Sequence, residues 1–93
     1  MNVNEAITLF RYYQQSHHRQ RTVDSYQALL GTFEQAYGNR SLDSLQSGEM
    51  YQFLEHLTEG SAKSTRRLRY AQLKAFFNFI IDKCHHDMKN PCD

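Results

Sequence analysis

Residues 22–37 constrain this chain more than any other stretch. Val23, Tyr26, Leu30, Phe33 and Tyr37 recur at spacings that alternate between three and four. That rhythm draws one apolar stripe along an α-helix and does not fit the two-residue alternation of a strand. Thr22 stands ahead of the stripe as an N-cap candidate, with Asp24 placed where a negative charge suits the helix dipole. Gly38 follows as the kind of residue that ends a helix in the left-handed conformation. The spacing predicts a helix over about residues 22–37.

Three more segments carry helical periodicity. The first, over about residues 4–15, turns Val3, Ile7, Phe10 and either Tyr13 or Gln14 to one side, with Asn2 or Asn4 as its cap. Leu42 and Leu45 anchor the connection that follows Gly38. Ser47 then reads as the cap of a short helix, about 48–58, with Met50, Phe53, Leu54 and Leu57 inward and Gly60-Ser61 beyond its end. The last helix opens at Ser64 or Thr65 and is expected to run to about His85. From Leu73 onward its apolar residues spread over most of the helical wheel, the pattern of a buried central helix. Asn90-Pro91 marks a stop after it. Nothing alternates with period two, and no internal repeat is present. The expected fold is all-α, a compact four-helix bundle in a single domain spanning residues 1–93.

The chemistry of catalysis is missing. There is no glycine-rich phosphate loop, no nucleophile elbow and no carboxylate pair at suggestive spacing, so an enzyme is not expected. A bridge between Cys84 and Cys92 would close only a short terminal loop, and free thiols in a reducing compartment are expected instead. Cys84, His85, His86 and Cys92 lack the paired spacing of zinc ligands, so neither metal nor cofactor is expected. The first residues have no charged region leading into an apolar one, and no run reaches the ~20 apolar residues of a membrane span. A cytoplasmic protein without a membrane partner is the expectation.

A formal net charge of +1 conceals how the charges are placed. Residues 6–23 contain no acid but hold Arg11, Arg19 and Arg21 with His17 and His18. Residues 60–81 are likewise free of acids and hold Lys63, Arg66, Arg67, Arg69 and Lys74. Local positive potential of this kind attracts polyanions. Cations at the start of a helix oppose its dipole, so helix stability does not ask for them there. Free N–H groups, the hydroxyls of Ser64 and Thr65, and Arg or Lys side chains together suit a phosphate. Lys63, Arg67 and Lys74 fall within about 40° of one another at 100° per residue, a line that can track a nucleic-acid backbone. The stretch from His17 to Thr22 repeats the pattern before the earlier helix. A helical protein-interaction module, using exposed apolar residues such as Leu68 and Phe79, is the alternative reading.

The same residues carry a family likeness. Thr22 and Tyr26 followed by Leu30 and Phe33, then Gly38 with Leu42 and Leu45, resemble the N-terminal core-binding (SAM-like) domain of tyrosine recombinases and phage integrases. Phe53-Leu54-Glu55-His56-Leu57 is similar to that family's short helix. Ser64-Thr65-Arg66-Arg67-Leu68-Arg69-Tyr70-Ala71-Gln72-Leu73-Lys74-Ala75-Phe76-Phe77 resembles its most recognisable helix, and Asn90-Pro91 its closing pair. The resemblance implies a SAM-like bundle that clamps the DNA of a recombination site together with a separate catalytic domain. That domain is expected beyond Asp93 and would hold the family's catalytic residues, so Tyr12, Tyr13, Tyr26, Tyr37, Tyr51 and Tyr70 are read as core or surface aromatics. Double-stranded DNA, the catalytic domain and other protomers of a synaptic tetramer are the implied partners. The implied DNA contacts are Arg19, Arg21, Thr22 and Ser25 at one helix start, and Lys63, Ser64, Thr65, Arg66, Arg67 and Arg69 at the other. Lys74 lies further along the second of these helices.

Overall fold

The computed structural model describes all residues, 1–93. It contains four α-helices, α1 (Val3–His17), α2 (Gln20–Tyr37), α3 (Ser47–Leu57) and α4 (Lys63–Asp82), with a 3-10 turn at Leu42–Ser44. No strand forms; a lone antiparallel bridge joins Asn2 to Ser41. The chain is therefore all-α, as the periodicity implied. It divides into two units, Met1–Ser44 and Leu45–Asp93.

In the first unit, α1 begins with a reciprocal cap. Asn2 Oδ1 accepts the Glu5 N–H at 2.8 Å, and Glu5 Oε1 accepts the Asn2 N–H at 2.9 Å. The next two N–H groups, of Val3 and Asn4, donate to the carbonyls of Arg40 and Gly38. The segment after α2 is thereby laced to the start of α1. Val3, Ala6, Ile7 and Phe10 of α1 are buried, as are Tyr26, Leu29, Leu30 and Phe33 of α2. Phe10 meets Tyr26 edge to face at 5.3 Å. Of the expected stripe, Val23 and Tyr37 are only half-buried. On α1 it is Gln14, not Tyr13, that lies inside; it is wholly buried, and neither of its amide atoms has a partner.

Two expectations for this unit need correction. The second helix starts at Gln20 with Arg19 in the cap position, so Thr22 lies inside the helix and does not cap it. Gln20 and Arg21 are adequate helix formers, and the Thr22 and Val23 N–H groups both find the Arg19 carbonyl. Gly38 has φ −52°, in the right-handed region. It is a glycine for want of space: a Cβ there would lie 2.4 Å from both Asn4 Oδ1 and the Glu34 carbonyl oxygen. Gly38→Ala is therefore expected to lower stability by ~1–3 kcal/mol, measurable by urea unfolding, because the obstructing backbone cannot move aside freely. An unchanged midpoint would show that the α1 start yields.

In the second unit, α3 buries Met50, Phe53 and Leu54. Gln46, not Ser47, occupies its cap position, and its N–H donates to Glu49 Oε1 at 3.2 Å. Thr58 ends the helix with its hydroxyl donating to the Leu54 carbonyl at 2.7 Å, and Gly60 turns the chain at φ +79°. The fourth helix begins one residue early, at Lys63, with Ala62 in the cap position. Ser64 and Thr65 thus sit in its first turn and do not cap it.

The fourth helix is not apolar all round. Its buried residues, Gln72, Leu73, Phe76, Phe77 and Ile80, form one stripe, whereas Leu68 and Tyr70 are exposed and Phe79 and Ile81 half-buried. It also stops at Asp82, short of the expected His85. His85 takes φ +53°, the left-handed conformation that usually falls to glycine, and the His86 N–H returns to the Ile80 carbonyl at 3.2 Å. Residues 90–92 are buried again.

Candidate nucleic-acid interface

The four helix starts fall into two kinds. Glu5 and Glu49 stand in the first turns of α1 and α3, where each accepts the N–H of its cap residue. The starts of α2 and α4 have no side-chain cap bond and no acid in the first turn. At α4 the N–H groups of Lys63, Ser64 and Thr65 precede the first intrahelical bond, which Arg66 makes to the Ala62 carbonyl. Such a terminus carries partial positive charge that nothing in the chain offsets.

Around the α4 start, Lys63, Ser64, Arg66 and Arg67 are exposed and Thr65 is half-buried. Lys63, Arg66 and Arg67 engage no carboxylate. Exposed Leu68 stands among them. Arg69 differs, since its Nη1 donates to Gln72 Oε1 at 2.9 Å and it is half-buried. Lys74 differs further: its Nζ lies 3.3 Å from the Asp93 carboxylate.

At the α2 start, Arg19, Arg21 and Thr22 are exposed and Ser25 is half-buried. Arg19 and Arg21 engage no carboxylate. Arg11, from the same acid-free window, is neutralised by a distant residue: it pairs with Glu34 at 3.5 Å and donates to Gln27. Sequence windows alone had counted it as open charge. His17 is stacked on Tyr13 at 4.2 Å, and His18 lies 6.2 Å from the Tyr26 ring. Burial pushes the Tyr26 hydroxyl above its usual range.

The C-terminal residues do more than mark a stop. Asn90 donates to the Lys74 carbonyl at 3.1 Å and to Asn78 Oδ1 at 2.9 Å, and accepts the Cys92 N–H at 2.9 Å. The Tyr70 hydroxyl donates to the Cys92 carbonyl. A polar line at 70, 74 and 78 beside the buried stripe of α4 was the available signal for this docking. Cys92 is buried, and desolvation first, then the Asp93 charge, pushes its thiol up to about 11. Cys84 and Cys92 are free thiols, and no three His, Cys, Asp or Glu side chains gather as a metal site. No helix is long and apolar enough to cross a membrane.

The model of the family described as "Phage integrase, N-terminal SAM-like domain" matches residues 7–83, a stretch that takes in all four helices apart from the first turn of α1. No curated protein and no solved structure matches the chain.

Proposed function

Because the chain belongs to the family of phage integrase N-terminal SAM-like domains, we propose that it grips the DNA of a recombination site through phosphate contacts at the starts of α2 and α4. Arg19 and Arg21 hold phosphates at one start, with Thr22 and Ser25 as hydroxyl donors. At the other, Lys63, Arg66 and Arg67 supply the charge, Ser64 and Thr65 the hydroxyls and Arg69 a further cation. Lys74 adds a contact only where Asp93 releases it. Cleavage and rejoining of strands fall to the catalytic domain of the integrase, and partner protomers complete the synaptic assembly.

The observation that carries this reading is the contrast between helix starts. Two are closed by glutamates; two have no side-chain cap, no acid in the first turn and several unpaired cations, with Asp24 just beyond the first turn of α2 and held by Gln20. Cations at those positions oppose the dipole and lower helix stability slightly. A phosphate converts the same arrangement into a site, because N–H groups, hydroxyls and guanidinium groups all donate toward it. Contacts of this type position a protein on the duplex and read little sequence, so sequence choice rests with the rest of the integrase.

Titrating a duplex into the isotopically labelled chain tests the proposal. Amide shifts are expected to concentrate at residues 19–25 and 63–70. With about five phosphates neutralised, affinity is expected to fall roughly 500-fold between ~50 and ~200 mM salt. Shifts that avoid both helix starts, or affinity indifferent to salt, would overturn it.

A further inference from the structure

The cations of α4 do not end at Arg67. Lys63, Arg67, Tyr70 and Lys74 fall within about 60° of one another at 100° per residue, and Asn78 continues the line one turn on. The first two are open. From Tyr70 onward the same line is engaged by residues 90–93, though Tyr70 and Asn78 keep part of their surface in solvent. Asn90 is the peg of this contact: it is only 7% exposed, and its side-chain amide bridges α4 at Lys74 and Asn78 while holding the Cys92 N–H. Asp93 takes the Lys74 ammonium.

We propose that residues 90–93 form a releasable strap whose docking and DNA binding along α4 beyond Arg67 exclude each other, with Asn90 as the positioning residue and Asp93 standing where a phosphate would sit. This rests on the DNA reading given above. While the strap is docked, the DNA footprint on α4 stops at Arg67. Once it lifts, Lys74 rejoins Lys63 and Arg67, and Tyr70 offers its ring and hydroxyl to the same backbone. The grip is of a strength that can be released. The Lys74–Asp93 pair is exposed, at 43% and 63%, so it contributes little by itself. The rest of the hold is the hydrogen bonds of Asn90, the Tyr70 hydroxyl on the Cys92 carbonyl and the burial of Pro91 and Cys92. A four-residue segment has few such contacts to lose, so it opens more readily than the helices beneath it.

Cys92 reports the state of the strap, because it is buried when docked and reaches solvent only on release. In a Cys84→Ser chain it is the sole thiol. Asn90→Ala in that chain is expected to raise the rate of Cys92 alkylation by iodoacetamide at least about tenfold, with helical circular dichroism unchanged. The same variant is expected to bind a duplex roughly fivefold more tightly, a gain absent when Lys74→Ala is added. Adding duplex to the Cys84→Ser parent is expected to speed alkylation. Asp93→Asn touches no core residue and is expected to tighten binding in smaller measure, which keeps the test open if Asn90→Ala lowers stability.

Faster alkylation with unchanged affinity would make the strap purely structural and overturn the exclusion. So would duplex that slows alkylation, since strap and DNA would then be bound together. Alkylation unaffected by Asn90→Ala would overturn the role of Asn90. If neither parent nor variant binds duplex, the DNA reading fails and the exclusion falls with it. The alkylation rates would in that case still measure the hold of Asn90 on the strap.

Discussion

Reversing both charges in an Arg66→Glu/Arg67→Glu variant is expected to remove most duplex binding while leaving the fold at least as stable. Two of about five phosphate contacts are lost, lowering the salt slope by roughly two. Repulsion adds to the loss, and affinity at ~50 mM salt is expected to fall on the order of 100-fold. Stability moves the other way. Neither arginine has a partner to lose, and negative charge near a bare helix start is favourable by ~0.3–1 kcal/mol per residue at most. Fluorescence anisotropy with a labelled duplex and thermal melting of the same samples give both readings. Opposite signs in the two measurements are what separates a binding site from a solvated helix face. A variant that binds as the parent does would end the proposal for α4, and one that melts early would show that these cations support the fold.

The largest expected loss of stability is at the other side of the same helix. Phe76 is fully buried and packs edge to face on Phe77 at 5.2 Å. Phe76→Ala removes the ring and leaves a cavity that the surrounding helices fill only in part, at a cost of ~3–5 kcal/mol. A domain of this size stores only ~5–15 kcal/mol. At ~4–8 °C per kcal/mol the melting temperature is expected to drop by at least ~12 °C. Leu68, on the exposed side of α4 at 45%, provides the comparison. Leu68→Ala is expected to stay within ~0.5 kcal/mol of the parent. Equal losses at the two positions would mean that the burial stripe on α4 is misplaced.

The helices were legible because hydrophobic period is a local property. Tyr26, Leu30 and Phe33 announce α2 wherever the chain goes, and all three are buried. Helix ends were less legible. Thr22, Ser47 and Ser64 or Thr65 have the right chemistry for caps, yet the cap positions belong to Arg19, Gln46 and Ala62. A cap gains about one hydrogen bond, and packing that lengthens a helix by a residue or two outweighs it. Gly38 was placed correctly as a necessary glycine for the wrong reason. Its neighbour Asn4 is remote in sequence, and only the folded chain brings the two together.

Sequence by itself determined that this chain would be helical, where the helices would lie, and that two of their starts would be basic; only the opening of α2 at Gln20 left Asp24 beyond its first turn. Those properties depend on residues within a turn or two of each other. Tertiary structure decided which cations stay open. Arg11 meets Glu34 and Lys74 meets Asp93 across long stretches of chain, whereas Lys63, Arg66 and Arg67 meet nothing. It also decided that Asn90 and Cys92 bond back to α4, where the sequence marked only a stop. The reason is common to both: a charge is neutralised, and a polar side chain satisfied, by whatever is near in space, and spatial neighbours are set only when the helices pack.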